Sequence, residues 1–366
     1  MDGDLGSLPA QNSPSNVVRA LVLSGGGARG AFEAGAIESL KAFGPYDIIC
    51  GTSAGAINAA FVAQGAYNQL REVWHNIGAR SVIQYVNVVR HVVALISSFR
   101  LLTSGPPLGR IGALFQLIYA FASVVFSVMF RLPSVLRLLG AIKPNPITEV
   151  LTEYLSYSAL QRWLIVTATN LTRQSADTFY FSATANMSAF AAKRKIGTAR
   201  YPLTSSNYVS AVQASTSIPG AFPPVEVAAD GAHYQYVDGG VANNTPIGMA
   251  VDAGATEITI VFVDPADSEP PEQTISNLAQ IGMTCLNVMQ HKILEDDLKL
   301  ALAYNSGVAA GASFAAPLVA DKRVITIYVV RPEKPLSVGV LDFEKQPLLD
   351  QAYDAGLAAG QKRQKL

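Results

Sequence analysis

Residues 46–62 read YDIICGTSAGAINAAFV, and their centre, Gly51-Thr52-Ser53-Ala54-Gly55, leaves the chain few architectures. An apolar run leads into the first glycine, and a small-residue helical pattern leaves the second. The motif therefore sits at a strand-to-helix turn. A serine on such a turn stands above the end of a sheet, and the glycines beside it let neighbouring main chain pass close by. The following helix aims its N-terminal N–H groups and positive dipole end at the same place. A second unit of this kind lies upstream: residues 17–24 (VVRALVLS) stop at GGGARG, and residues 28–43 carry a helical period. Two such units in succession predict parallel strands covered by helices.

Further strands are expected at 163–170, 178–182, 257–264 and 324–330, beyond the one at 46–50. Short helices are expected at 210–217 and 246–253, and a long one at 278–304. The fold class that follows is a three-layer α/β/α domain around a central, mostly parallel sheet, spanning residues 17–366. Residues 1–16 are rich in Ser, Pro, Asn and Gly and lack an apolar segment. The expectation there is a disordered lead-in without a signal peptide.

The upstream loop spells Gly25-x-Gly27-x-x-Gly30, which fits the dinucleotide-binding fingerprint letter for letter. That fold needs an acidic residue at the end of its second strand to hold a ribose hydroxyl. Here the second strand ends in GTSAG, and Asp47 lies at its start. A phosphate loop of the Gly-Lys-Ser/Thr type is absent as well. Loops that follow adjacent parallel strands emerge at one sheet edge. The N–H groups of Gly26 and Gly27 can then converge on the carbonyl oxygen of an ester attacked by Ser53. One such donor typically lowers the barrier by about 3–4 kcal/mol.

A nucleophilic serine needs a base. The four histidines lie in unpromising places: His75 and His91 in or beside a basic apolar stretch, His233 in the polar segment DGAHYQY, and His291 on the long helix next to Lys292. YVDGGVANNTP (residues 236–246) instead puts Asp238 at the end of an apolar approach, followed by Gly239 and Gly240. A carboxylate beside Ser53 could take the hydroxyl proton directly, provided burial raises its basicity and the oxyanion is strongly held. Two alternatives stay open at this point. One is a histidine-triad esterase acting on soluble esters, and the other a non-catalytic membrane- or partner-binding protein on the same scaffold.

GGGARG, GTSAG and DGG, in that order, resemble the patatin-like phospholipase family in its bacterial form. The similarity continues through ATNL (168–171) and SAVQASTSIPGAFPPV (210–225), and covers roughly residues 17–70 and 145–265. It implies a Ser–Asp dyad of Ser53 as nucleophile and Asp238 as proton acceptor. It also implies an oxyanion loop of Gly25, Gly26, Gly27 and Arg29, with Gly30, Gly51, Gly55, Gly239 and Gly240 supporting the motifs. The implied activity is hydrolysis of fatty-acyl esters, of the phospholipase A or lysophospholipase kind, with no metal or other cofactor.

Residues 75–145 match no part of that family. No Asp or Glu occurs between Glu72 and Glu149, whereas Arg80, Arg90, Arg100, Arg110, Arg131, Arg137 and Lys143 do. The chain has 27 basic and 27 acidic residues in all, so its neutrality hides a basic insertion in an acidic remainder. Nothing in this balance suggests nucleic acid. Residues 111–130 (IGALFQLIYAFASVVFSVMF) are uncharged and long enough to span a bilayer. A lone span would separate Ser53 from Asp238, and a second crossing through 81–103 would bury Arg90, His91 and Arg100. The expectation is a helical cap on a membrane face, with Arg100, Arg110, Arg131 and Arg137 meeting lipid phosphates. Burial in the core, contact between copies of the chain, and a hairpin in one leaflet are the other arrangements the run allows. Two cysteines, Cys50 and Cys285, form no disulfide framework, and a cytoplasmic, peripherally or monotopically membrane-associated protein is expected.

Overall fold

The computed structural model describes residues 17–80, 145–182, 190–191, 198–266, 278–309 and 324–366, with isolated helical positions between 116 and 122. The first part of the chain runs β1 (Arg19–Leu23), α1 (Gly30–Leu40), β2 (Ile48–Thr52), α2 (Ala54–Gln64) and α3 (Tyr67–Asn76). After the insertion come α4 (Asn145–Tyr154), β3 (Trp163–Asn170), β4 (Ser175–Phe181), β5 (Arg200–Pro202) and α5 (Tyr208–Ser215). A hairpin follows, β6 (Val225–Ala229) and β7 (Ala232–Asp238), then α6 (Ile247–Asp252) and β8 (Glu257–Val261). The remainder is α7 (Leu278–Ala309), β9 (Thr326–Val330), α8 (Gln346–Gly360) and β10 (Gln364–Lys365).

All strands join one sheet in the order β10-β9-β8-β1-β2-β3-β4-β5, with β7 also on β3 and β6 on β7. From β9 to β3 every neighbour is parallel, and the antiparallel pairs lie outside that central run. Successive side chains of a strand point to opposite faces. Leu21, Leu23, Ile49, Leu164 and Val166 accordingly join one buried cluster with α1, α2, α3, α4 and α8. Ala20, Val22, Ile48, Cys50 and Ile165 join a second, closed by α6 and α7. Helices cover both faces, so the strands are apolar at consecutive positions and read as unbroken runs. The fold is the expected three-layer α/β/α.

Several boundaries differ from expectation, each for a tertiary reason. β2 does not stop at Cys50: Gly51 and Thr52 look like turn residues but pair in register with Val166 and Thr167 of β3. α1 opens at Gly30, after a short 3-10 turn over Gly27–Arg29. α8 packs against α1 through facing glycines. A Cβ on Gly35 would strike the Tyr353 carbonyl oxygen, and one on Gly356 that of Phe32.

Residues 1–16 and most of the 75–145 insertion, including Arg100, Arg110, Arg131 and Arg137, lie outside the described residues. The insertion's two ends are ordered core. His75 and Asn76 still belong to α3, Ile77 packs into the core, and α4 contributes Ile147 and Leu151. Three described side chains of the apolar run, Ile118, Tyr119 and Phe121, are exposed by 58%, 69% and 63%. Among the described residues no helix is long and apolar enough to cross a membrane.

Candidate active site

The site is built on one edge of β3. β4 occupies the other edge from Leu164 to Asn170. On the near edge β2 pairs as far as Thr52 with Thr167, and β7, running the opposite way, takes over where Asp238 pairs with Ala168. β2 must therefore leave the sheet after Thr52, and it does so at Ser53. Ser53 adopts φ 55° and ψ −129° as it turns into α2. That backbone costs a non-glycine residue on the order of 1–3 kcal/mol. The flanking glycines are required by close approach: a Cβ on Gly51 would meet the Gly55 carbonyl oxygen, and one on Gly55 those of Leu23 and Ser24.

Two residues 185 apart in the chain meet as a result. Ser53 Oγ donates to Asp238 Oδ2 at 2.6 Å. The second carboxylate oxygen, Oδ1, accepts the Gly240 N–H at 2.7 Å. The main chain of Asp238 is held by the Ser217 carbonyl, 2.8 Å from its N–H, and by the Thr169 hydroxyl, 2.9 Å from its oxygen. The Ser53 N–H donates to Ser215 Oγ at 2.9 Å. Asp238 is wholly buried, and loss of water pushes its carboxyl up to about 6, against the opposing pull of the Ser53 and Gly240 hydrogen bonds.

The glycine loop rises beside this pair. Gly25, expected within the oxyanion loop, has its N–H committed to Asn244 Oδ1 at 3.1 Å and so anchors the loop rather than offering a donor. Arg29 braces the loop from below: its Nε donates to the Gly26 carbonyl at 3.4 Å and its Nη1 to Asp264 at 2.5 Å. Gly27 takes φ +57°, and the next N–H, of Ala28, goes to the Val340 carbonyl at 2.8 Å. Among the described residues the N–H groups of Gly26 and Gly27 have no partner, and both residues line a recess with Ser53.

A larger apolar pocket opens at the same serine, enclosing about 620 Å³ including its open mouth. Its walls are Val73, Trp74 and Ile77 from the α3 side, Ile147, Val150 and Leu151 from α4, and Ile218, Phe222 and Phe343 from loops. Trp74 is fixed by donating Nε1–H to Asn58 Oδ1 at 2.8 Å. Asn58 Nδ2 in turn reaches Glu33 Oε2 and the Gly30 carbonyl, each at 3.0 Å. Glu33 is fully buried, and burial holds its carboxyl well above the usual carboxylate range. This chain ties the start of α1, helix α2 and the pocket wall together.

The histidines go elsewhere. His75 pairs with Asp350 at 2.9 Å, His233 with Glu226 at 2.9 Å and His291 with Glu295 at 3.3 Å, while His91 lies outside the described residues. Sequence reasoning passed over Asn244, Ser215 and Glu33. The first two sit within the quoted motif stretches, where a side-chain amide and a hydroxyl close to bare main chain were the available signal.

A family model described as Patatin-like phospholipase matches residues 21–251, from β1 to the end of α6. The chain belongs to the patatin-like phospholipase family. Membership places it among lipid ester hydrolases. A search of curated proteins finds no match. Among solved structures, this chain is similar to VipD from Legionella pneumophila, at 16% identity over 95% of this chain and 68% of that one, with a TM-score of 0.40. The type III effector protein ExoU is similar at 16% identity over 97% of this chain and 55% of its own, with a TM-score of 0.28. In the heterodimeric ExoU–SpcU complex of the Pseudomonas aeruginosa type III secretion system the figures are 20%, 56%, 37% and 0.24.

The raised carboxyl of Asp238 has a stability consequence. Its folded-state pKa, about 6, exceeds the ordinary value of 3.8, so the folded protein holds the proton more tightly than the unfolded chain does. The ionised group therefore costs stability, progressively from about pH 4 to 6 and fully above. Asp238→Asn carries no charge to bury. Urea unfolding is expected to show the variant gaining about 3 kcal/mol relative to wild type between about pH 4 and 8. A difference that does not change with pH contradicts this.

Proposed function

We propose that this protein hydrolyses fatty-acyl esters of membrane lipids, as a phospholipase A or lysophospholipase, through an acyl-enzyme on Ser53 with Asp238 as the base. The observation that carries the reading is the 2.6 Å hydrogen bond from Ser53 Oγ to a buried carboxylate at a strained strand–helix turn. As Oγ attacks the ester carbonyl carbon, its proton passes to Asp238 Oδ2. The carbonyl oxygen gathers negative charge and is met by the N–H groups of Gly26 and Gly27. Collapse breaks the bond to the alcohol, which leaves with the proton from Asp238. Water then gives a proton to Asp238 and attacks the acyl carbonyl. Breakdown of that second intermediate releases the fatty acid and returns the proton to Ser53.

A carboxylate of ordinary acidity would be a poor base for this work. Burial moves Asp238 to about 6, near neutral operating pH, which is where a general base is most effective. The apolar pocket beside Ser53 suits an acyl chain and offers little to a small polar ester. Both ends of the 81–144 segment spring from that pocket's walls, α3 on one side and α4 on the other. The exposed side chains of Ile118, Tyr119 and Phe121 in the apolar run favour a lipid surface.

Ser53→Ala and Asp238→Asn are each expected to lower kcat for lysophospholipid hydrolysis by at least about 10³-fold, with His75→Ala, His233→Ala and His291→Ala within about threefold of wild type. In the wild type kcat/KM should fall about tenfold per pH unit below about 6 as Asp238 takes up a proton. Substantial activity in either dyad variant overturns the mechanism. Liposome co-sedimentation tests the membrane face. Ile118→Glu with Phe121→Glu should weaken binding to anionic vesicles about tenfold or more, and binding equal to wild type contradicts it.

A further inference from the structure

Two recesses meet at Ser53, and the reaction proposed above uses only the glycine wall of the second, the Gly26 and Gly27 amides, leaving its α7 wall without a role. The second is narrow, with Gly26, Gly27, Ser53, Ile218 and Val340 on one wall and Leu286, Asn287 and Gln290 of α7 on the other. α7 begins well beyond residue 251, outside the part of the chain that the family model matches. An ester carbon carries three substituents in a plane, so fixing two of them fixes the third. With the acyl chain in the apolar pocket and the carbonyl oxygen on the Gly26 and Gly27 wall, the wall of this recess formed by α7 is the polar surface left for the alcohol side.

Its chemistry differs from that of the first. Asn287 and Gln290 contribute uncharged side-chain amides, each able to donate and accept. Neither makes a hydrogen bond to another described residue. Gln290 reaches far into the site: its Nε2 lies 2.5 Å from where a Cβ on Gly240 would stand, a point also 3.0 Å from Asp238 Oδ1. Any side chain at position 240 would displace that amide, which gives the second glycine of DGG a role beyond the turn. No residue lining this recess bears a positive charge, so it is matched to hydroxyl groups and not to a phosphate.

We infer that Asn287 and Gln290 form an alcohol-side subsite that binds the hydroxylated glycerol backbone of a monoacyl ester and sets leaving-group preference. The inference rests on the hydrolase reading above. The test compares two esters with one acyl chain, 1-palmitoylglycerol and methyl palmitate, using the full-length protein. For Gln290→Leu the ratio of kcat/KM on the glycerol ester to that on the methyl ester should fall about tenfold relative to wild type, the loss of one or two hydrogen bonds. Asn287→Leu, at an exposed position, should lower the same ratio about threefold to tenfold and serves where Gln290→Leu fails to fold. An unchanged ratio in a variant that still cleaves both esters overturns the subsite and leaves the dyad standing. Wild-type protein that cleaves lysophospholipid but neither of these esters overturns the subsite alone, and wild-type protein that cleaves none of the three overturns the hydrolase reading with it.

Discussion

Everything at this site depends on the way two strands share one edge of β3. β2 and β7 approach from opposite directions and meet between Thr167 and Ala168. Neither can continue, so both turn away there. The parallel strand turns at Ser53 and the antiparallel one ends at Asp238, which puts a hydroxyl and a carboxylate in contact without any loop having to be positioned by itself. The precision comes from two hydrogen-bonded ladders on a strand whose eight residues are all buried. Sites carried on such elements hold their geometry better than sites on loops.

The meeting point concentrates unfavourable terms. A buried carboxylate receives a hydroxyl and an amide but no ion-pair partner among the described residues, and a serine holds a backbone conformation suited to glycine. Both are offset by the apolar clusters on the two faces of the sheet. They also give the site its chemistry. With no cation or histidine beside it among the described residues, burial leaves Asp238 as basic as the proposed mechanism requires. The glycine loop is held in a similar way. Asn244 and Arg29 hold its two ends by their side chains, which leaves the amides of Gly26 and Gly27 uncommitted.

How far the sequence disclosed this depends on the kind of information each residue carries. β3 was legible residue for residue, because a strand buried on both faces is one apolar run. Ser53 and Asp238 were legible because the serine and aspartate sit in short motifs that bare main chain demands. The end of β2 was not, since Gly51 and Thr52 look like a turn until β3 is beside them. Asn244 was hidden because one asparagine among VANNTP looks like another, and only the folded loop shows which one meets Gly25. The second wall of the site was hidden for a longer-range reason. Asn287 and Gln290 lie on a helix whose period is set by its packing on the far sheet face through Leu294, and their nearness to Ser53 is a property of the sheet order alone.

The central claim is that Asp238, and no histidine, draws the proton from Ser53. The direct measurement is the rate at which a fluorophosphonate labels Ser53, followed by peptide mass spectrometry from about pH 4 to 8 in wild type and Asp238→Asn. The account predicts a single label, on Ser53. In wild type its rate should rise with an apparent pKa near 6 and level off above. In Asp238→Asn it should be at least about 10²-fold slower at every pH. Labelling of the variant at the wild-type rate, or a wild-type rate indifferent to pH across that range, would contradict it.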